Sequence, residues 1–172
     1  MAVTVTGWIK LLASINDART VVSGAAKEAG ARNASIDAGW DVANGTTAGR
    51  ADKVWADTRT VTTGATDSLY LAGTLTNAFG EVVTFVKLRA IAIKAAAANT
   101  TTLQVARPAS NGVLLFAAAS DALFALSAGG FFCWADPAAG FAVTAGTGDL
   151  LSIINSAGAT ASYDIVLVGT SA

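Results

Sequence analysis

The chain contains no histidine and a single cysteine, Cys133, among its 172 residues. The first absence removes the commonest general base, the usual catalytic triads and most zinc sites. The second leaves no intrachain disulfide and no cysteine-based metal cluster. The apolar setting of Cys133 in GGFFCWA reads as that of a buried, inert thiol. Charge is also scarce: 11 basic and 12 acidic residues make up 13% of the sequence, where roughly 25% is usual for a soluble domain. From Ala109 to Ala172 there is no Lys or Arg, and the only charges are Asp121, Asp136, Asp149 and Asp164. A lone domain of this size covers itself with mixed charges. A chain this poor in them is expected to hide surface against other subunits.

Membrane and export signals are equally thin. MAVTVTGWIK lacks a basic region followed by a long apolar core, so no signal peptide is expected. Leu114–Trp134 is long enough to span a bilayer, but Asp121, two serines and Gly129-Gly130 interrupt it. An aspartate near the centre of a span costs roughly 2.5 to 3.5 kcal/mol. Three short strands separated by turns account for the segment better, and no membrane contact is expected.

What is present is strand patterning. Thr84–Lys94, TFVKLRAIAIK, alternates with a period of two. Thr84, Val86, Leu88, Ala90 and Ala92 form one apolar or neutral face. Phe85, Lys87, Arg89, Ile91 and Ile93 form the other, half-covered one. SYDIVLVGTS alternates similarly, with Tyr163, Ile165 and Leu167 opposite Asp164, Val166 and Val168. Further runs lie at 53–61, 68–73, 102–106, 112–117, 122–127, 130–135, 141–145 and 150–155, separated by Arg107-Pro108, Asn111-Gly112, Gly129-Gly130, Asp136-Pro137, Gly146–Asp149 and Ser156–Gly158. Strands spaced by roughly 8 to 12 residues predict an antiparallel β-sandwich or barrel, here about ten strands in two packed sheets.

One glycine-rich stretch, AGTGD at 145–149, invites a phosphate-loop reading. That chemistry needs a helix after the glycines, so that its N-terminal amides meet the anion. LLSIIN follows instead, a good strand and a poor helix, and no Lys stands beside the glycines. AGTGD is therefore expected to be a turn.

Residues 1–50 differ from residues 51–172, the expected sandwich domain. They are rich in small residues and hold Trp8, Trp40 and five of the eleven cations. Two readings stand: an arm whose aromatics anchor on a partner, or edge strands of the same sandwich. Asn44–Gly49 reads as the linker. Val3, Val5, Trp8, Ile9 and Trp40 are the candidate interface residues.

No catalytic residues, cofactor or metal site are expected. Asp136, Asp149 and Asp164 lack calcium-loop spacing, and nothing selects Asp57, Asp67 and Glu81 as a hydrolytic pair. Lys87, Arg89 and Lys94 make no basic face, so no nucleic-acid partner is expected. Trp55, Tyr70, Phe85, Phe131, Phe132, Trp134 and Phe141 are dispersed through apolar strands. They read as core rather than as a carbohydrate platform.

Three phrases resemble a family of small structural proteins of tailed bacteriophages: ANGTTAGRADKVWADTRTV (43–61), SLYLAGTLTNAFGEVVTFVKLRAIAIKAAAANT (68–100) and GFAVTAGTGDLLSIINSAGATASYDIVLVGTS (140–171). Leu75–Gly80 and Val143–Leu151 carry the family's forms. The middle segment drifts from the pattern, and the first forty residues lie outside it. The resemblance implies a virion component with no enzymatic role. The expectation formed from it is a capsid decoration, or cement, protein: a β-sandwich of jelly-roll type, self-associating as a trimer. It is expected to be made in the host bacterial cytoplasm and to bind the major capsid protein on the phage head surface. A tail, collar or baseplate component is the alternative, and a carbohydrate-binding β-sandwich a further one.

Overall fold

A computed structural model describes residues 5–17, 30–115 and 121–172. Its strands are β1 (Val5–Asp17), β2 (Gly30–Asn44), β3 (Arg50–Ala51), β4 (Lys53–Val61), β5 (Thr66–Tyr70), β6 (Ala72–Thr76), β7 (Val82–Thr84), β8 (Lys87–Ala95), β9 (Leu103–Arg107), β10 (Asp121–Leu126), β11 (Phe131–Ala135), β12 (Phe141–Ala142), β13 (Leu150–Asn155) and β14 (Ala161–Thr170). There is no helix among the described residues, and hence none that could cross a membrane. The protein is all-β.

The chain divides into two compact units, one of Thr6–Asp41 and one that includes Val42–Ala172. The division falls upstream of residue 50, because Val42 and Ala51 are already buried. Asn44–Gly49 is accordingly no free linker. It closes a loop in which β2 and β3 pair in parallel, Ala43 with Arg50 and Asn44 with Ala51.

In the larger unit, two sheets share one apolar core. The first has the order β11-β8-β14-β4, with β12 continuing along β8 beyond β11; the second has the order β10-β9-β13-β5. The pairings form a ribbon. β4 pairs β14, β5 pairs β13, β8 pairs β11 and β9 pairs β10, all antiparallel. The ribbon is rolled up by β14 against β8 and β13 against β9. Leu69, Leu103, Val105, Leu151 and Ile153 of one sheet meet Trp55, Ile91, Ile93, Ile165 and Leu167 of the other. In β14 the alternation read from the sequence holds as far as Leu167: Tyr163, Ile165 and Leu167 are buried, while Asp164 and Val166 are exposed; Val168, expected on the outward side, is buried as well.

In β8 it does not. Val168 pairs with Ala90 and Gly169 with Leu88, so Arg89 is an extra residue that breaks the register. A bulge of this kind reverses which face later residues take. Leu88 points into the core before it; Ile91, Ile93 and Ala95 do so after it. The face expected to be continuous from Thr84 to Ala92 is therefore split. The strand itself begins only at Lys87, after a separate hairpin of β6 and β7. Arg89 is buried; its Nη1 donates to Ala138 O at 2.6 Å and its Nη2 to Thr47 O at 3.4 Å, clipping two loops together.

Other departures are local. Residues 112–115 form no strand: Gly112 makes a single parallel bridge to Leu150, and Val113 and Leu115 bury their side chains. β2 occupies a stretch without apparent period, since its Ala, Gly, Asn and Ser residues carry little strand propensity of their own. AGTGD is the turn expected. Gly148 N donates to Thr144 O at 2.8 Å, Gly146 N to Asp149 Oδ1 at 3.2 Å, and β13 follows.

The sandwich closes its two open edges with different chemistry. On one side Phe124 of β10 and Phe132 of β11 meet across the sheets, ring centroids 4.4 Å apart, and Trp134 stacks on Phe141 at 4.1 Å. On the other, Arg59 of β4 grips Asp67 of β5.

Candidate functional site

The Arg59–Asp67 edge is the densest ionisable cluster among the described residues. Arg59 Nε donates to Asp67 Oδ2 at 2.5 Å and Nη2 to Oδ1 at 2.8 Å, a two-pronged grip. Nη1 reaches Asp57 Oδ2 at 3.1 Å, and Tyr163 Oη donates to Asp67 Oδ2 at 2.7 Å. Hydrogen bonding to Asp67 raises the guanidinium's pKa further still. Burial pushes the Asp67 carboxyl up, but the hydrogen bonds from Arg59 and Tyr163 and the guanidinium charge outweigh it and hold it below the usual carboxylate range. Burial first, then Asp67, pushes the Tyr163 phenol well up. The carboxylate is thus fixed as an anion, the phenol as a neutral donor and the guanidinium as a cation. A pair of acids sharing one arginine is poorly suited to proton transfer; this cluster joins two sheets.

Asp136 and Asp149 are spent on turns, and Asp164 on a bond between neighbouring strands. Asp136 Oδ1 accepts from Ala138 N and Ala139 N, Asp149 Oδ1 from Gly146 N, and Asp164 Oδ1 from Thr58 Oγ1. Among the described residues no group of three or more His, Cys, Asp or Glu is placed to hold a metal.

A surface feature stands out instead, at the tip of the β6–β7 hairpin. Asn77 organises it almost alone. Its Oδ1 accepts from Phe79 N at 3.0 Å and Glu81 N at 2.9 Å, its Nδ2 donates to Glu81 Oε2 at 3.0 Å, and its own N donates to Glu81 O at 2.9 Å. Gly80 takes φ of 80° and donates to Asn77 O at 2.9 Å. Trp55 Nε1 donates to Thr76 O at 3.0 Å and ties the hairpin to β4. This ordered tip holds Phe79 out at 78% exposure, with Val82 beside it at 60%. Large aromatics on a rigid frame lose little entropy on docking and are typical anchors. Asn77→Ala is expected to cost only about 1 kcal/mol while speeding hydrogen exchange of the Phe79 and Glu81 amides, as mass spectrometry would measure.

The sequence-named interface residues fall elsewhere. Val3 lies outside the described residues, as do the side chains of Val5, Trp8 and Ile9, although Val5, Trp8 and Ile9 belong to β1. Trp40 is partly exposed, and its ring lies so close over Gly7 that a Cβ there would collide with it. Among the aromatics read as core, Trp55 and Phe85 are buried and Phe132, Trp134 and Phe141 pack against them. Phe131 and Tyr70 are not core: they are 72% and 40% exposed, because each points away from the inner face of its strand. Cys133 is half-buried rather than buried, and burial pushes its thiol pKa up. Phe79 went unremarked in LTNAFG because the segment read as the approach to a strand; Asn77 with Gly80 three residues on was the available turn signal.

No family model, no curated protein and no solved structure matches the chain.

Proposed function

We propose that the chain is a non-enzymatic virion component, a decoration protein that binds the outer shell of a phage head through the major capsid protein and to copies of itself. The observation that carries the reading is the pairing of its strands. Leaving aside the short β3, β6, β7 and β12, the first strand of the Val42–Ala172 sandwich pairs with the last, the second with the next to last, and so inward to β9 with β10. We read this ribbon as jelly-roll-like, an architecture frequent in viral capsids, and it supports the proposal. The resemblance of 43–61, 68–100 and 140–171 to tailed-phage structural proteins points the same way.

The mechanism is mass action. A protein that binds the assembled shell and not its free parts stabilises the shell by its binding free energy. Phe79 is the residue with the shape and presentation to anchor on the shell, and Trp8 and Trp40 of the Thr6–Asp41 unit are further candidates.

Purified protein added to expanded shells lacking it should bind in hundreds of copies and raise the temperature at which the shells lose DNA. Phe79→Ser should weaken that binding by at least about thirtyfold, the effect of losing an interface anchor, with the melting curve of the free protein unchanged. A handful of copies per virion would move the protein to the tail, collar or baseplate. No binding to any virion part would sink the reading.

A further inference from the structure

The outward face of the first sheet is unusual. In a sandwich, outward positions alternate with core positions and are normally polar. Reading across β11, β8, β14 and β4, one outward row is Phe131, Lys94, Asp164 and Thr58, and the next is Cys133, Ala92, Val166 and Ala56. The second row is entirely small and apolar. Val166 is 41% exposed and Ala56 is exposed, as is Phe131 at the corner. A hollow of about 250 Å3 opens on this face, lined by Ala92, Lys94, Phe131, Cys133, Asp164 and Val166 among others. The two rows cover roughly 260 Å2 of sheet, four strands of about 4.8 Å by two rows of about 6.8 Å.

We propose that this face pairs with the same face of a second copy of the chain, about a two-fold axis running along the strands midway between β8 and β14. The two rows are complementary to themselves under that operation. Lys94 meets Asp164 of the second copy, and Asp164 meets its Lys94. Phe131 covers Thr58 of the second copy. Val166 comes onto Ala92 of the second copy, at the hollow, and Cys133 onto its Ala56. A two-fold axis laid across the strands through the charged row sets Lys94 on Lys94 and Asp164 on Asp164, and like charges in contact exclude it. The isologous pairing uses one cation and one anion per copy twice. Its order is two, where the sequence led to an expectation of three. Two such faces bury about 500 Å2 in all, well below the roughly 1,200 Å2 of a stable pair, so the pairing is weak and populated only where copies are crowded. The inference rests on the self-association in the proposed function and not on capsid binding.

Crosslinking tests it directly. Within one chain β11 and β4 are separated by β8 and β14, which puts Cys133 and residue 56 about 14 Å apart, far beyond disulfide reach. Across the proposed axis they face each other. Packed sheets lie roughly 10 Å apart, so Ala56→Cys treated with a bis-maleimide of about that span in the full-length protein should give a covalent dimer on a denaturing gel. The same variant carrying Cys133→Ser should give none. Lys94→Glu and Asp164→Lys should each weaken pairing by about tenfold or more, as light scattering over a concentration series would measure, and mixing the two variants should restore it. No covalent dimer, or a loss that mixing does not restore, overturns the pairing. A covalent dimer that fails to bind shells leaves the pairing intact and removes the decoration role instead.

Discussion

Gly169→Ala should destabilise the Val42–Ala172 unit by about 3 kcal/mol, the upper part of the range for overpacking a core. Gly169 sits opposite Leu88 at the point where Arg89 is extruded. A Cβ on it would lie 2.7 Å from Phe85 Cδ1 and closer still to the carbonyl oxygen of Lys87. The phenyl ring is buried and the oxygen belongs to the backbone, so neither can move aside without shifting β8. Gly146→Ala is the contrast. Its φ is 75°, but nothing lies near it, and only the backbone term of about 1 to 2 kcal/mol is lost. Denaturant unfolding of both variants measures the difference. A Gly169→Ala change below about 0.5 kcal/mol, the scale of an ordinary surface substitution, would mean that β8 and β14 do not meet as described.

Asp67→Ala is expected to cost about 2 to 3 kcal/mol, less than the full penalty for breaking a buried ion pair, because the Arg59 side chain is 33% exposed and that of Asp67 12%. It leaves the guanidinium without its main acceptor and the Tyr163 hydroxyl without one. The pH dependence separates the two partners. Asp67 is held below its unfolded value, so its contribution is complete above the ordinary carboxylate range, near pH 4, and is lost as the pH falls through the lowered folded value. Tyr163 is raised above its unfolded value. Its contribution is complete below about pH 10 and disappears as the pH climbs beyond that. Stability measured against pH should therefore fall at both ends in the native protein. Asp67→Ala should flatten the acid limb and Tyr163→Phe the alkaline one. An unchanged acid limb in Asp67→Ala would mean that the carboxylate is not bound as described.

How far the sequence reveals this molecule depends on where side-chain pattern controls the backbone. Along β14 the alternation of Tyr163, Ile165 and Leu167 with Asp164 and Val166 is undisturbed, and the strand was legible up to Val168, which is buried where the pattern set it outward. Along β8 the same kind of pattern misled. Lys87 and Arg89 suggested one continuous half-covered face, whereas the bulge at Arg89 moves Leu88 and Ile91 to the same side. Register slips of this kind leave no mark in composition. β2 was missed for the opposite reason: small residues carry too little preference to announce a strand that its neighbours impose. The surfaces were least legible. Phe131 and Phe132 are adjacent and chemically identical, and only the pairing of β11 with β8 decides which of them faces outward. Phe79 likewise depends on hydrogen bonds from one asparagine, invisible to any count of apolar residues.

The place of β14 between β4 and β8 bears on how the polypeptide matures. Its central position means that Lys53–Val61 and Lys87–Ala95 have no common neighbour until Ala161–Thr170 has been translated. Nascent segments upstream must wait on the ribosome with their hydrogen-bonding rims unclaimed, and closure then joins partners far apart in the chain, the slow regime for two-state folding, on the order of milliseconds to seconds. The Val42–Ala172 unit can thus complete its first sheet only once Ala161–Thr170 has been made.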